Sequence, residues 1–303
     1  FSGNGLLFTN TAAGTMPSLT LSGAGAAELT TPIAVRTDLL IDCADRLTLS
    51  GTLDFPLTNS YVVSKSGPGT VTLTPANGSP SCYMVYEGRM NFSGSHTGWR
   101  YISAAGPFAS IPAGICLSSL PGKSSSFYIT QTGIPLSSQV FFAGLGEAVF
   151  GTRSGGIVTC TNWFTGFGTA ATYDVDTNDT LRILQLIEGV NDASIKSLTG
   201  VIKAGPGTVE VRSLGANNTT RRAYSGSTVL RNGTLTLSAD DCGMLSTSNS
   251  FNGQTYTGLG GSLGYSLFTN TVRIGDSGTA ATDNLSLIAN GNGRYIGHDI
   301  EVL

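Results

Sequence analysis

Lys65-Ser66-Gly67-Pro68-Gly69-Thr70-Val71-Thr72-Leu73 returns later in the chain as Lys203-Ala204-Gly205-Pro206-Gly207-Thr208-Val209-Glu210-Val211. Both copies run on into similar text. Ala76-Asn77-Gly78 and Tyr86-Glu87-Gly88-Arg89-Met90-Asn91-Phe92-Ser93 follow the first; Ala216-Asn217-Asn218 and Leu230-Arg231-Asn232-Gly233-Thr234-Leu235-Thr236-Leu237-Ser238 follow the second. A further match joins the two ends of the chain: Leu7-Phe8-Thr9-Asn10-Thr11 reappears as Leu267-Phe268-Thr269-Asn270-Thr271. Self-similarity at a fixed spacing is the mark of a repeat architecture. The simplest division is a unit over about 1–140, a second over about 141–266 and the start of another copy at 267–303.

Within the units apolar residues alternate with Thr, Ser and charged residues, as in Leu19/Leu21, Leu47/Leu49, Val71/Leu73, Val209/Val211 and Leu235/Leu237. A period of two predicts strands with one buried face, and the Gly, Asn, Pro and Ser-Gly breaks predict turns after four to six residues. Leu181–Glu188 also fits a short helix, but the Gly189-Val190 that follows favours a strand. Short strands in a repeating chain build a sandwich, a propeller or a solenoid. The unit is too long for a propeller blade and carries no Trp-Asp signature. The expected fold is therefore all-β, a right-handed parallel β-helix (β-solenoid) built from internal repeats. A coil of roughly 20 to 25 residues would give a rod roughly 60 to 70 Å long.

The 303 residues are 40% hydrophobic, enough to bury a substantial core, but only 12% charged, about half the globular average. The formal net charge of -3 supplies no basic field for nucleic acid. No apolar stretch is long enough to span a bilayer, and Phe1–Asn10 lacks the pattern of a signal peptide, so the chain reads as mature or excised. Five scattered cysteines (Cys43, Cys82, Cys116, Cys160, Cys242) show no CxxC spacing; they read as buried small apolar side chains or as members of at most two disulfides.

The Lys-x-Gly-Pro-Gly-Thr-Val pattern, followed by Ala-Asn and a Gly-Thr-Leu strand over Lys203–Asp240, resembles the autotransporter-associated β-strand repeat of bacterial surface proteins. Arg273–Gly278 followed by Asn284–Gly291 is similar to the longer arrays of such repeats. The resemblance implies a right-handed parallel β-helix, export and surface exposure, and it implies no catalytic residues. Gly88-Arg89-Met90 departs from the Gly-Thr-Leu step. The stretch 101–167, with Phe108, Phe127, Phe141, Phe142, Phe150, Trp163, Phe164 and Phe167, is richer in aromatics than the family; it reads as a divergent coil set, an excursion or a contact surface. The family's C-terminal membrane barrel has no counterpart, so the chain reads as a fragment or is released by another route.

Candidate sites are few. Asp240-Asp241 follows a strand and reads as a solvated turn. Asp174-Val175-Asp176-Thr177-Asn178-Asp179 spaces oxygen ligands as calcium loops do, but lacks the sixth-place Gly and has Gln185 where a bidentate Glu belongs. His96 and His298 are the only histidines and read as surface residues. Gly67-Pro68-Gly69 and Gly205-Pro206-Gly207 lack the Lys-Ser/Thr and helix of a phosphate loop and read as corner turns. Asn91-Phe92-Ser93, Asn218-Thr219-Thr220, Asn232-Gly233-Thr234 and Asn284-Leu285-Ser286 are glycosylation sequons of the kind expected by chance. Catalytic, cofactor and metal residues are expected to be absent. The expected function is that of a secreted or surface-displayed bacterial structural protein, a filament subunit assembling head to tail with itself or continuing as a longer chain. The alternatives are an adhesin or stalk binding a host surface or glycan, and a β-helix polysaccharide-degrading enzyme or phage tailspike.

Overall fold

Alternating residues of Leu, Val, Ile and Thr favour extended backbone, because one face of each short run can be buried while the other stays wet. A computed structural model describes residues 4–9, 15–55, 61–74, 82–93, 114–133, 135–166, 169–186, 200–211, 227–238, 245–251, 254–261, 264–265, 271–290 and 300–303. Their regular structure is all strand, and they contain no helix long and apolar enough to cross a membrane.

In chain order the strands are β1 (Leu6–Phe8), β2 (Ser18–Leu21), β3 (Ala26–Leu29), β4 (Ile33–Val35), β5 (Leu39–Cys43), β6 (Arg46–Leu49), β7 (Leu53–Asp54), β8 (Val62–Ser66), β9 (Thr70–Leu73) and β10 (Cys82–Val85). Then come β11 (Gly88–Phe92), β12 (Gly114–Ser119), β13 (Ser124–Ile129), β14 (Gln139–Gly144), β15 (Glu147–Thr152), β16 (Ile157–Gly166), β17 (Ala170–Val175), β18 (Thr180–Leu186) and β19 (Gly200–Ala204). The last are β20 (Thr208–Val211), β21 (Ser227–Leu230), β22 (Gly233–Ser238), β23 (Leu245–Phe251), β24 (Gln254–Gly261), β25 (Gly264–Tyr265), β26 (Val272–Ile274), β27 (Leu285–Asn290) and β28 (Ile300–Val302). Within 181–188, the helix-or-strand segment is strand as far as Leu186.

Two long sheets result. Sheet I holds eleven strands in the order β2-β5-β8-β10-β12-β14-β16-β18-β20-β22-β27, and sheet II holds eleven in the order β3-β6-β9-β11-β13-β15-β17-β19-β21-β26-β28. Every neighbouring pair in both is parallel. Each pass of the chain gives one strand to sheet I and the next to sheet II. A parallel third sheet, β1-β4-β7, accompanies the first passes, and β23-β24-β25 form an antiparallel sheet in the excursion between β22 and β26.

Eleven rungs about 4.8 Å apart make a stack of about 48 Å, shorter than the length anticipated from a uniform coil. The reason is uneven pass length. In sheet I Lys65 pairs with Val85, whereas Thr236 pairs with Ile288, so the later circuit takes more than twice as much chain to climb one rung, and the surplus leaves as connections.

Inward side chains of the two sheets form one core. Leu19, Ile41, Lys65, Val85, Leu117 and Phe142 follow one another in register across sheet I; Phe127, Phe150, Tyr173, Lys203 and Leu230 do so across sheet II. The aromatic-rich stretch feeds this core. Phe127, Phe142, Phe150 and Phe164 are fully buried, with Phe127–Phe150 at 6.2 Å, Phe150–Phe164 at 5.3 Å and Phe142–Tyr173 at 5.8 Å between ring centroids. Rings at these separations add about 0.5–1.5 kcal/mol per pair beyond their burial. They are core, not a contact surface, and β12–β16 continue the same two sheets. Tyr101, Phe108, Phe167 and the Trp163 side chain lie outside what is described.

The internal repeat has a geometry the sequence does not announce. In the first half the short connections run from sheet I to sheet II: Ala44-Asp45, Gly67-Pro68-Gly69, Tyr86-Glu87 and Leu145-Gly146. From β17 to β22 they run from sheet II to sheet I: Asp176–Asp179, Gly205-Pro206-Gly207 and Arg231-Asn232. Long connections swap accordingly, with 93–113 leaving sheet II while 187–199 and 212–226 leave sheet I. Lys65 stands in β8 of sheet I and Lys203 in β19 of sheet II, eleven strands or five and a half passes apart (19 minus 8, two strands per pass). The two copies are therefore related by an exchange of sheets.

Candidate functional site

Each copy of the repeated motif places a lysine in an apolar row, and the corner beside it supplies what a buried ammonium requires. Lys65 Nζ donates to the carbonyls of Ser66 (3.0 Å), Gly67 (2.7 Å) and Glu87 (2.9 Å). Lys203 Nζ donates to those of Ala204 (2.8 Å), Gly205 (2.7 Å) and Asn232 (2.9 Å). Both residues are 0% exposed. Three N–H donors meet three acceptors from two successive passes, so the charge is satisfied without a carboxylate. The glycines make this possible. Gly67 and Gly205 turn the chain at φ 76° and 75°, and Gly88 and Gly233, at 76° and 75°, lie against the ammonium from the next pass. A Cβ on Gly88 would come within 2.5 Å of the Gly67 and Gly69 carbonyl oxygens and 2.7 Å of Lys65 Nζ. These corners bind a cation that is part of the chain and aim carbonyls at it, the opposite polarity to a phosphate loop.

The calcium-like turn resolves into structural contacts. Asp174 accepts from Tyr128 Oη (2.7 Å) and Arg153 Nη2 (2.7 Å), Asp176 from its neighbour Thr177 N (2.8 Å), and Asp179 from Ser154 N and Gly156 N (both 2.8 Å). Asn178, at φ 66°, turns the chain between them. Arg153 stands between Asp174 (2.7 Å) and Asp176 (3.6 Å) while Asp179 turns to backbone N–H groups, and among the described residues no three of His, Cys, Asp and Glu gather as a metal site. Asp240, Asp241, Cys242, His96, His298 and Asn218 lie outside the described residues. Of the other sequons, Asn91 and Asn232 have their side-chain amides bonded to Thr72 Oγ1 (3.4 Å) and Asp283 Oδ1 (2.9 Å).

Cys43, Cys82, Cys116 and Cys160 are buried free thiols. Cys82 and Cys116 are near neighbours in sheet I but two residues out of register, since Met84 faces Cys116. Strand geometry then puts their Cα atoms about 8 Å apart, too far for a disulfide.

Burial sets the titration of these groups. It lowers the ammonium to about 7 at Lys203 and about 8 at Lys65. It raises the thiols of Cys43, Cys116 and Cys160, and that of Cys82 to about 12. Unfolded lysine holds its proton to about 10.4 and unfolded cysteine to about 8.5. From pH 7 to 8 the unfolded chain therefore carries extra lysine protons and stability rises with pH. Above about 8.5 the unfolded thiols ionise while the fully buried Cys82, Cys116 and Cys160 hold their protons, and stability falls. Each group contributes at most about 1.4 kcal/mol per pH unit, so from pH 9 to 10 these thiols outweigh the two amines. Urea midpoints measured from pH 7 to 10 are expected to peak between about pH 8 and 9; a continuous rise would sink this account.

The remaining charges sort cleanly. Of the ten described cations, Lys65 and Lys203 are held by carbonyls, and Arg36, Lys123, Arg153, Arg182, Arg231 and Arg273 pair with Asp54, Glu87, Asp174, Glu210, Asp276 and Glu301. Arg46 and Arg89 have no carboxylate partner among the described residues. Both project from the outer face of sheet II in one row, Arg46–Thr70–Arg89–Ser126, beside a second row, Thr48–Thr72–Asn91–Tyr128. Arg89 lies 4.0 Å from the centroid of the Tyr128 ring and donates through Nε to Asn91 Oδ1 (2.7 Å). Sequence reading passed over this face because Arg46, Thr70 and Arg89 are far from consecutive and meet only through the register. No family model, curated protein or solved structure matches the chain.

Proposed function

We propose that the chain is a right-handed parallel β-helix that serves, without catalysis, as an extracellular structural rod of a bacterial surface. The observation that carries this reading is the unbroken run of eleven parallel rungs in both sheets over one continuous core. Parallel strands joined by crossovers are right-handed in nearly all proteins, and the third sheet of the first passes supplies a further side for a helical path. The two lysine corners favour the autotransporter-associated repeat: the motif residues that define the resemblance are the ones that build the corner. The chemistry of the motif is spent on architecture, which suits a rod.

In this reading the rod extends head to tail. Edge strands β2 and β3 at one end, and β27 and β28 at the other, share strand direction and inward-facing apolar residues, and Ile288 (43%), Ile300 (49%) and Val302 (74%) are exposed at the latter end. Such edges template further pairing, and a contact that does not close yields a filament. Negative-stain electron microscopy of the purified chain at rising concentration is expected to show fibres with an axial repeat of about 53 Å, eleven strand spacings. Short discrete rods at every concentration would overturn head-to-tail assembly.

A further inference from the structure

We infer that the outer face of sheet II over β6–β13 is a docking surface for a linear acidic polysaccharide, anchored by Arg46 and Arg89. Charge complementarity carries the argument. These are the two described cations held neither by a carboxylate nor by a cage of carbonyls, and they stand in one outward row, two strands or about 10 Å apart along the stack. A guanidinium with open N–H groups is suited to a planar carboxylate. Arg89 is also pre-positioned, because its stacking on Tyr128 and its bond to Asn91 fix the plane of its fork, so little freedom is lost when a carboxylate docks.

The surroundings fit a sugar chain rather than a protein. Thr48, Thr70, Thr72, Asn91 and Ser126 add hydroxyls and an amide at each rung, and the rows run along the stack axis as an extended polymer would. Among its described residues the face carries no exposed large apolar side chain of the kind that anchors protein interfaces. Its one acidic member at the near end, Glu28 in β3, accepts from Ser50 Oγ (2.5 Å). The net charge of -3 repels a polyanion at long range, so binding rests on the local pair and is salt-sensitive.

The test uses the full chain and polygalacturonate, a linear polymer with a carboxylate on every sugar, with amylose as the neutral counterpart. Wild type is expected to bind polygalacturonate at low ionic strength and to lose it on adding salt. Arg46→Gln/Arg89→Gln is expected to weaken binding about tenfold or more, the loss of two charge-assisted contacts, and Arg273→Gln to leave it unchanged. Arg46→Gln alone alters an exposed side chain, so its several-fold loss separates binding from folding even if the double variant is unstable. No binding by wild type, equal binding of amylose, full binding by Arg46→Gln and by a folded double variant, or equally strong, arginine-dependent binding of poly(dT) would each overturn the assignment. The face is lateral to the stack, so this outcome is independent of whether the ends assemble.

Discussion

Lys203→Met is expected to lower stability by about 3–5 kcal/mol, although methionine preserves most of the buried volume. The loss comes from what the ammonium leaves behind. The carbonyls of Ala204, Gly205 and Asn232 lose their donor in a site that water does not reach, and each buried acceptor without a partner costs about 1–3 kcal/mol. Relief from burying a charge offsets part of this, which is why the total is below the sum. Lys203→Arg is expected to fail as a rescue, because a planar fork cannot point its donors at three convergent oxygens. Lys65→Met should produce a comparable drop, since its ammonium is held by an equivalent set of three carbonyls at closely similar distances. Stacked passes contact only their neighbours, so hydrogen exchange should accelerate first around β19–β22. A urea-midpoint shift worth less than about 1 kcal/mol would mean that the carbonyls find other partners.

Gly233→Ala is expected to cost more than about 3 kcal/mol, and Gly155→Ala about 1–2 kcal/mol, despite nearly equal backbone angles. Both glycines have positive φ, 75° and 73°, so both substitutions carry the left-handed penalty of an L-residue. They differ in what a methyl group meets. At Gly155 there is nothing within 4 Å, whereas at Gly233 a Cβ would run into the carbonyl oxygens of Gly207 and Gly205 and stand 2.8 Å from Lys203 Nζ. Those atoms belong to the backbone and to the held ammonium, so none can move without undoing the corner. Equal midpoints for the two variants would show that the corner yields and that the conformational penalty alone decides.

Much of the fold was legible in the sequence for a physical reason. A strand needs only a period of two, and Thr70–Leu73, Thr208–Val211 and Gly233–Ser238 carry that period in their own residues. The turns were legible because positive φ restricts Gly67, Gly88, Gly205 and Gly233 to glycine. The lysines were visible as repeated letters but not as buried ones, because no local pattern says that a side chain points inward; that follows only once Ile41, Lys65 and Val85 are known to share a row. Their retention beside each Gly-Pro-Gly was the available signal, since a turn alone has no need of lysine. Whether Phe127, Phe142 and Phe150 belong to further coils, an excursion or a contact surface stayed open in the sequence for a related reason: aromatic content reports size, whereas which face a ring takes depends on register. Arg46 and Arg89 form a pair only across three strands, a relation without any trace in linear sequence.

The exchange of sheets between the two copies bears on how stacks would lie side by side in the proposed rod. Because the copies are separated by an odd number of half-passes, the edge closed by tight corners in the first half becomes, in the second, the edge from which the long connections depart. In the proposed filament the two ends of one stack would therefore turn their tight corners to opposite edges, and a neighbour matched to the corners at one end would have to shift along the axis or reverse direction to match those at the other.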